Sequence, residues 1–280
     1  MKLMRIGSAG AERPAMLCAE GKARDLSGHV TDIAGAALTP EGLTHLRTLD
    51  PSTLPELPRG ARKGPCVGQP SKVICVGLNY TDHADELGMA RPEEPVLFSK
   101  APSCLAGPED DIVTPRGADR LDYEIELAIV IGQRARYVDP QTALAHVAGY
   151  ALFNDVSERT DQLQRGGQWI KGKSHDGFGP IGPWLVTADE IPDPQALDLR
   201  LEVNSQMRQQ GTTARMIFGV AEIVSYISRF MTLEPGDVIP TGTPPGVALG
   251  MKAPGWLVPG DVLELEITGL GRQRNRILPT

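Results

Sequence analysis

Three carboxylates in the middle of the chain have the residue types and spacing of a metal site. Glu124 and Glu126 stand two apart in the run LDYEIELAIVIG at residues 121–132, so a β-strand would direct both from one face. Asp155 follows a second apolar run, VAGYALFN, where a strand gives way to a turn. Oxygen ligands suit Mg²⁺ or Mn²⁺, with Ca²⁺ as a further candidate, better than zinc. These residues alone leave open a strand with a solvated acidic face.

A histidine and an acid form a second candidate pair. His83 and Glu86 are three apart in NYTDHADE, which places them on one side of a helical turn, where the carboxylate can orient the imidazole and raise its basicity. A surface histidine beside an incidental acid is the alternative. The polar segment that starts at Gly77 predicts a lid that orders over substrate. Four further histidines lack comparable neighbours and are interpreted as structural: His29, His45, His146 and His175.

One sequence motif points to a function that its context contradicts. Residues 167–174, GQWIKGKS, fit the phosphate-loop pattern G-x-x-x-x-G-K-[ST] letter for letter. A working phosphate loop follows a buried strand and opens a helix. Here the preceding residues are polar, and the following HDGFGPIGP is too rich in Gly and Pro to continue as a helix. We therefore expect no nucleotide site.

The composition predicts a globular protein without a nucleic-acid or membrane partner. The 280 residues are 41% hydrophobic and 22% charged, and the formal net charge of -7 argues against a nucleic-acid surface. The N-terminal residues lack the continuous apolar stretch of an export signal, and no segment is apolar enough to cross a bilayer. The four cysteines lack metal-ligand spacing. We expect a cytoplasmic protein with reduced thiols.

The order of elements predicts an α+β, mostly β fold in two parts. Residues 1–65 would form a small β-rich N-terminal domain and linker, with strands in MKLMRIG, AMLCA and KARDLS before a Pro-rich stretch at 51–70. Residues 66–280 would form the catalytic domain, with strands in KVICVGLNY, EPVLFSK, YEIELAIVIG, WLVT, LRLEVNS, DVIPTG and VLELEITGLG. Apolar spacing predicts short helices in PQTALAHVAGYAL (140–152) and VAEIVSYISRFM (220–231).

Taken with four more segments, these motifs resemble the fumarylacetoacetate hydrolase family. The segments are GLNYTDHADELG, VLFSKAPS, GKSHDGFGPIGP and PTGTPPGV, and the resemblance covers about residues 70–275 in matching order. It implies a mixed β-sandwich roll, a homodimer and a divalent-metal enzyme that acts on small keto acids, commonly by hydrolysing a carbon-carbon bond. The metal ligands of the pattern fall on Glu124, Glu126 and Asp155.

The resemblance also assigns catalytic residues. It makes His83, oriented by Glu86, the general base. Lys173 corresponds to the family's lysine in GKS and would face the carbonyl oxygen that becomes negative during attack. Lys171 is interpreted as solvated, and Lys100 in VLFSK is a candidate for the pocket border.

Substrate-binding positions follow from the same comparison. Arg159 and Gln162 match the polar positions after the metal-binding Asp, where an Arg can grip a substrate carboxylate or instead bind the loop to its own domain. Thr243 in TGTPPG matches a threonine of the substrate-binding turn, in which Gly242 and Gly246 permit close backbone approach.

The chain departs from the family pattern at two points. Gly177 stands where Thr is common after KSxD, which would loosen the loop or widen the pocket. An additional upstream carboxylate ligand of some longer members has no match, so three protein ligands, water and substrate would complete the metal shell.

The predicted substrate is a small anionic keto acid. We expect hydrolysis of an acylpyruvate-type 2,4-diketo acid to pyruvate and a carboxylic acid, since a cation can chelate the 2-keto carboxylate and stabilise the enolate leaving group. The chain looks nearest to members assigned to 2,4-diketo-3-deoxy sugar acids or ureidoglycolate lyase. Alternatives on the same scaffold are ureidoglycolate lyase, oxaloacetate decarboxylase and dienoate isomerase or hydratase. A metal-stabilised binding protein is the non-enzyme alternative, against which His83, Glu86 and Lys173 speak.

Overall fold

A computed structural model describes residues 1–86 and 88–280 of the chain. The strands are β1 (Lys2–Ile6), β2 (Arg13–Leu17), β3 (Ala23–Asp25), β4 (Val73–Gly77), β5 (Val96–Lys100), β6 (Leu105–Ala106), β7 (Ile112–Val113), β8 (Leu121–Asp122), β9 (Ile125–Ile131), β10 (Val147–Asn154), β11 (Ser157–Glu158), β12 (Gly179–Pro180), β13 (Leu185–Thr187), β14 (Asp198–Val203), β15 (Gln206–Thr212), β16 (Val238–Pro240), β17 (Val262–Ile267) and β18 (Gly271–Leu278). The α-helices are α1 (Pro40–Thr48), α2 (Thr81–Glu86), α3 (Arg159–Gln164), α4 (Ile170–Lys173) and α5 (Val220–Phe230).

Two large sheets dominate the fold. One has nine strands in the order β3-β2-β1-β13-β10-β9-β16-β4-β5, and the other has five in the order β15-β14-β17-β18-β7. The residues of β9 are buried on both faces, as expected of a strand whose sequence is apolar except for Glu126. Its odd-numbered side chains join the core that also contains Leu199 and Leu263 of the five-stranded sheet, while Ala128 and Val130 face a second core. The predicted mostly β fold is confirmed.

The N-terminal residues extend the nine-stranded sheet. β1 pairs antiparallel with β13, with Leu3 opposite Leu185. Leu26 and Leu46 share a core cluster with Val130 and Ala151 of the central strands. The sheet and this core therefore cross the domain boundary that we predict near residue 65, and that boundary stays a prediction.

The Pro-rich stretch at 51–70 packs against the rest of the molecule. Leu57, Cys66 and Val67 within it are buried. Lys63 forms an isolated bridge with Ile6, so the stretch is anchored to β1. It is a packed connection, whereas its composition suggested a linker.

One of the two predicted helices is confirmed and the other is wrong. Residues 220–230 form α5, whose apolar side packs in the large core. In the segment at 140–152 a short 3-10 turn, Ala143–His146, gives way to β10, which begins at Val147. β10 pairs with β9 and β13, and these tertiary contacts override the helical spacing of its apolar residues.

The four cysteines are free and buried. Burial raises the pKa of the Cys66 thiol to about 12 and that of Cys75 well above its ordinary value. None of the helices formed by the described residues is long and apolar enough to span a membrane.

Candidate active site

The strand register brings the three predicted metal ligands together. Ile125 at the start of β9 lies opposite Asn154 at the end of β10, so Glu124 and Asp155 meet where the two strands separate. The amide of Asp155 donates to the carbonyl of Glu124 at 2.9 Å. Glu126 lies within β9, and one carboxylate oxygen from each of the three residues lies within 4.8 Å of the others. All three side chains are buried.

This donor set fits a hard divalent cation. Ligand oxygens around one Mg²⁺, Mn²⁺ or Ca²⁺ lie roughly 2.0–2.6 Å from it, so mutual separations up to about 5 Å are expected. Buried carboxylates need a positive partner, and here a lysine is that partner: Lys173 Nζ donates to Glu124 Oε2 and Asp155 Oδ2, both at 2.7 Å. Because the Lys173 ammonium group is held against two of the proposed metal ligands, this part of the site favours positive charge.

A second lysine holds the other side of Asp155. Lys100 Nζ donates to Asp155 Oδ1 at 2.5 Å and to the carbonyl of Val156 at 3.2 Å. Lys100 is buried and is not among the described residues that line the cavity. Lys100 therefore holds Asp155 from outside the cavity lining, whereas the sequence suggested that Lys100 lies at the border of the pocket.

The three carboxylates differ in their affinity for protons. Burial opposes ionisation of Glu124, but the charges of Arg159 and Lys173 outweigh it and hold its pKa at about 2. Burial and the charges of Asp155 and Glu124 raise the pKa of Glu126 well above its usual range. Glu126 therefore holds a proton more readily than Glu124, and a bound cation would favour its ionised form.

The cavity over the triad contains the predicted base. His83 is buried on α2, and its Nδ1 lies 3.0 Å from Glu86 Oε2. Because Glu86 also accepts from the amide of Gly246 at 3.0 Å, its carboxylate is fixed between α2 and the turn that follows β16. The segment at 77–88 was predicted to be a mobile lid, which stays a prediction, and Leu87 of that segment lies outside the described residues.

Arg159 is held by protein groups on three sides. Its Nε donates to Asp122 Oδ2 at 2.9 Å, its Nη2 to Glu124 Oε1 at 2.5 Å and its Nη1 to Gln162 Oε1 at 2.9 Å. Of the two roles that the sequence left open, these bonds favour the one in which Arg159 ties its loop to its own domain. Gln162 lines the cavity beside it, so a substrate contact there stays a prediction.

The sequence interpretation missed Asp122. This buried carboxylate accepts hydrogen bonds from Arg159 and from the amides of Ala248 and Leu249, at 2.8 and 3.1 Å. Asp122 thereby links the segment that leads into β9, the strand of Glu126, to the turn at Ala248 and Leu249 beside the cavity. The sequence does contain a signal for Asp122, because Asp122, Glu124 and Glu126 occupy every second position in LDYEIE.

The turn after β16 supports the triad through its backbone. Gly242 donates its amide to Glu126 Oε2 at 2.8 Å with a φ of 96°, which favours glycine. The hydroxyl of Thr243 donates to the carbonyl of Ile125 at 2.9 Å and accepts from Gln209 Nε2 at 2.7 Å. Thr243 is predicted to bind substrate, but both hydroxyl bonds are made to protein groups that hold the turn against β9.

The phosphate-loop motif forms part of the same cavity and has no phosphate-loop geometry. α4 has four residues, and its Lys173 points to the carboxylates. Trp169 of the motif packs edge-on against Phe98, with ring centroids 5.2 Å apart. Gly177 is not among the described residues that line the cavity, so the departure from the family pattern lies outside its wall.

The cavity has a volume of about 380 Å³. It is lined by Val76, Gly77, Leu78, His83, Met89, Phe98, Glu124, Glu126, Arg159, Gln162, Leu163, Trp169, Lys173, Gly242, Thr243, Val247 and Leu249. A volume of this size suits a small organic substrate.

Comparisons with known proteins assign the chain to a family. Residues 72–278 match the family described as "Fumarylacetoacetate (FAA) hydrolase C-terminal". A Burkholderia ambifaria protein, whose name assigns it to the hydrolases without giving a substrate, is 55% identical over 274 residues, 98% of this chain and 97% of the relative. The chain therefore belongs to the fumarylacetoacetate hydrolase family. It is an enzyme of the class of hydrolases that act on carbon-carbon bonds in ketonic substances.

Three solved structures show the range of chemistry on this scaffold. Fumarylacetoacetate hydrolase from psychrophilic Exiguobacterium antarcticum matches with a TM-score of 0.85 and 38% identity, over 100% of both chains. Maleylpyruvate hydrolase from Sphingobium sp. SYK-6, in complex with manganese(II) and pyruvate, matches with 0.83 and 28%, over 100% of this chain and 99% of that one. 2-Hydroxyhepta-2,4-diene-1,7-dioate isomerase from Mycobacterium marinum matches with 0.75 and 34%, with the same coverage.

Proposed function

We propose that this enzyme hydrolyses an acylpyruvate-type 2,4-diketo acid to pyruvate and a second carboxylic acid. The observation that carries the proposal is the meeting of a carboxylate triad, a lysine and a histidine-acid pair around one cavity. The solved relative that contains both manganese and pyruvate supports it. Glu124, Glu126 and Asp155 would hold Mg²⁺ or Mn²⁺, which when bound supplies a Lewis acid for the oxygens of a 2-keto carboxylate.

The protein's own groups would carry the proton and the developing charge. With Nδ1–H donated to Glu86, His83 presents Nε2 as an acceptor and takes a proton from water as the hydroxyl adds to C4. The C3–C4 bond breaks, its electron pair becomes the pyruvate enolate, and the proton returns from His83 to C3. Lys173 donates a hydrogen bond to the oxygen that becomes negative at C4. Gln162 would donate through Nε2 to the substrate carboxylate.

The site also has the charge balance that an anionic substrate requires. Asp122, Glu124, Glu126 and Asp155 face Lys100, Lys173 and Arg159, so four carboxylates meet three cations. A divalent cation bound with all four carboxylates ionised would leave one positive charge in excess. That excess would attract an anion into a chain whose formal net charge is -7.

Isomerisation of a dienoic keto acid is a second candidate. The structural match to a dienedioate isomerase at 34% identity favours it, because moving a double bond needs the same proton transfer by His83 without water attack. Decarboxylation of oxaloacetate and urea release from ureidoglycolate would use the same cation and are tested alongside.

A product assay decides between these reactions. The purified protein with Mg²⁺ or Mn²⁺ would be supplied with 2,4-diketo acids, dienoic keto acids, oxaloacetate and ureidoglycolate, and products would be identified by mass spectrometry. Hydrolysis should give pyruvate and a carboxylic acid that gains oxygen from ¹⁸O-labelled water, and a chelator should stop it. Products of unchanged mass would instead establish isomerisation. Full turnover of metal-free protein would contradict the metal role.

We also propose that the active form is a homodimer, as the family resemblance implies, and that it is cytoplasmic, as the composition predicts. Light scattering of the purified protein should give twice the chain mass of 30.1 kDa. A monomer with full activity would contradict this.

A further inference from the structure

We infer that the acyl half of the substrate is uncharged and apolar, without the second carboxylate found in dicarboxylate keto acids. This inference rests on the proposed function and concerns the part of the cavity outside the metal site. It specifies the chemical class of the group that leaves as the second carboxylic acid.

The cavity divides by chemistry. Its polar and charged side chains are those proposed to bind the metal, transfer the proton or hold the diketo acid core, together with Arg159: His83, Glu124, Glu126, Arg159, Gln162, Lys173 and Thr243. The other side chains in contact with a bound substrate would be apolar. Besides Val76 they are Leu78, Met89, Phe98, Leu163, Trp169, Val247 and Leu249.

These apolar side chains form one wall of the cavity, called the apolar wall below, and neighbouring residues hold it in place. Trp169 packs edge-on against Phe98, and Lys173 Nζ lies 5.1 Å from the Phe98 ring centroid, so the aromatic pair adjoins the ionic site. Trp169 reaches this place because Gly77 has no side chain: a Cβ at Gly77 would lie 2.9 Å from the Trp169 ring. Leu78 beside it has a φ of 54°, which is unusual for a leucine and occurs where the fold fixes a residue for function.

The wall extends to the mouth of the cavity. Met89 and Leu163 are 49% and 45% exposed although both line the cavity. Large apolar side chains left in water at a pocket opening are expected where they meet an apolar ligand.

A second carboxylate would find no counter-ion in this wall. Among the described lining residues the groups that can carry positive charge are His83, Arg159 and Lys173, and each is bonded to carboxylates of the site. The basic residues within two positions of Met89, Leu163 and Trp169 are bonded to other protein groups: Arg91 to Asp85 at 3.4 Å, Arg165 to Asp161 at 3.3 Å, and Lys171 to the carbonyl of Arg165. A carboxylate placed against Phe98 and Trp169 would lose water without gaining a partner.

The volume leaves room for a sizeable acyl group. A cavity of about 380 Å³ corresponds to roughly a dozen water-sized groups at about 30 Å³ each. The diketo acid core with an acetyl end has nine non-hydrogen atoms, so several further carbons fit. Apart from the indole N–H of Trp169, the side chains of the apolar wall would offer the hydroxyl groups of a sugar-acid tail no hydrogen-bond partner, which disfavours the sugar-acid subgroup that the sequence suggested.

A matched pair of substrates tests the inference. 7-Methyl-2,4-dioxooctanoate ends in an isopropyl group, and 2,4-dioxoheptane-1,7-dioate ends in a carboxylate of the same shape and chain length. With the metal-loaded enzyme, kcat/KM for the compound with the isopropyl end should exceed that for the dicarboxylate by about 10²-fold or more. The reason is that the apolar wall would remove water from the second carboxylate without giving it a positive partner. Equal efficiency, or preference for the dicarboxylate, would overturn the inference while leaving the proposed hydrolysis in place. Turnover of neither compound, nor of any other diketo acid, would contradict the proposed function itself.

Two variants extend the test to the wall. Leu163→Lys places a cation at the mouth and should raise the dicarboxylate-to-neutral ratio of kcat/KM by about threefold, the size of a partly exposed ion pair. Leu144→Lys is the matched control, since Leu144 is 46% exposed and lies outside this cavity. An equal rise in both variants would contradict the assignment of the wall.

Trp169→Ala should lower kcat/KM for 7-methyl-2,4-dioxooctanoate by about tenfold or more, the value of losing a large apolar contact. The same variant should affect 2,4-dioxopentanoate much less, because its acetyl end does not reach the aromatic pair. Equal losses for both compounds would show a general structural role and count against the inference.

Discussion

At Glu126, binding of a metal ion competes with binding of a proton. The raised pKa of Glu126 means that the metal-free protein holds a proton which a cation must displace, while Glu124 with a pKa of about 2 is already ionised. We therefore predict that metal affinity rises by up to tenfold per pH unit below the Glu126 pKa and levels off above it. Titration calorimetry of Mn²⁺ in buffers of different ionisation enthalpy should show about one proton released.

Glu126→Gln is the matching variant. It keeps the size of the side chain, removes the charge and the displaced proton, and should weaken Mn²⁺ binding by at least about tenfold. Proton release that persisted in this variant would place the displaced proton on another group.

His83 and Glu86 should have separable effects on rate. His83→Ala removes the proposed base and should lower kcat by roughly 10²-fold or more while Mn²⁺ still binds. Glu86→Gln should cost less, because an amide oxygen can still accept from Nδ1 at the observed 3.0 Å. A near-normal rate for His83→Ala, measured with metal binding intact, would make His83 a structural histidine.

The turn after β16 is the element whose backbone the site depends on most. A Cβ at Gly242 would lie 2.9 Å from Asn79 Cβ and 3.1 Å from the carbonyl of Val76, in addition to the cost of its φ of 96°. We predict that Gly242→Ala lowers the free energy of unfolding by about 1–3 kcal/mol and weakens metal binding, because the amide held by Glu126 moves.

Gly260→Ala is the control for that prediction. Gly260 has a φ of 100° and no atom within 4 Å of a Cβ built on it, so this variant measures the conformational cost without the collision. Denaturant unfolding and Mn²⁺ titration of both variants make the comparison. An equal loss of stability with unchanged metal affinity in both would contradict the role given to the turn.

Most strands that carry an apolar pattern were predictable, with β10 the exception because its residues also fit helical spacing, and those that pack through polar groups were not. The mostly apolar run in β9 predicts a buried strand, and the spacing of residues alone placed Glu126 on it. β15 and β18 were missed because their sequences, QMRQQGT and GRQRNRIL, are polar. Gln273 of β18 is buried through hydrogen bonds to the carbonyls of Leu152, Pro180 and Gly182, a form of burial that hydropathy does not reveal.

The same contrast applies to the site. Residue type and spacing placed Glu124 and Glu126 on one strand face and His83 beside Glu86, because a strand repeat of two and a helical turn of three or four fix those contacts locally. Asp155 joins the two glutamates only through the antiparallel register of β9 and β10. The bonds of Arg159 to Asp122 and Glu124 join positions 37 and 35 residues apart and depend on the antiparallel register. Trp169 reaches the cavity wall through a loop, whose path no periodicity predicts.

At the scale of the whole molecule, the nine-stranded sheet joins the N-terminal residues to the catalytic ones. β1 is hydrogen-bonded to β13, which pairs with β10, the strand that leads to Asp155. Removal of residues 1–65 would expose the edge of β13 and the apolar side chains that Leu3 and Leu46 cover. The two parts are therefore expected to unfold together, in one cooperative transition.

Cys75 gives the chain an internal reporter of that cooperativity. It lies in β4 between β16 and β5, fully buried, with its thiol held protonated by burial and by the neighbouring charge of Asp155. A thiol reagent can reach it only when the sheet opens, so its labelling rate follows the fraction of open molecules. Because a cation that binds the folded state reduces that fraction in proportion to its concentration over Kd, labelling of Cys75 against Mn²⁺ concentration would yield the metal affinity without any substrate.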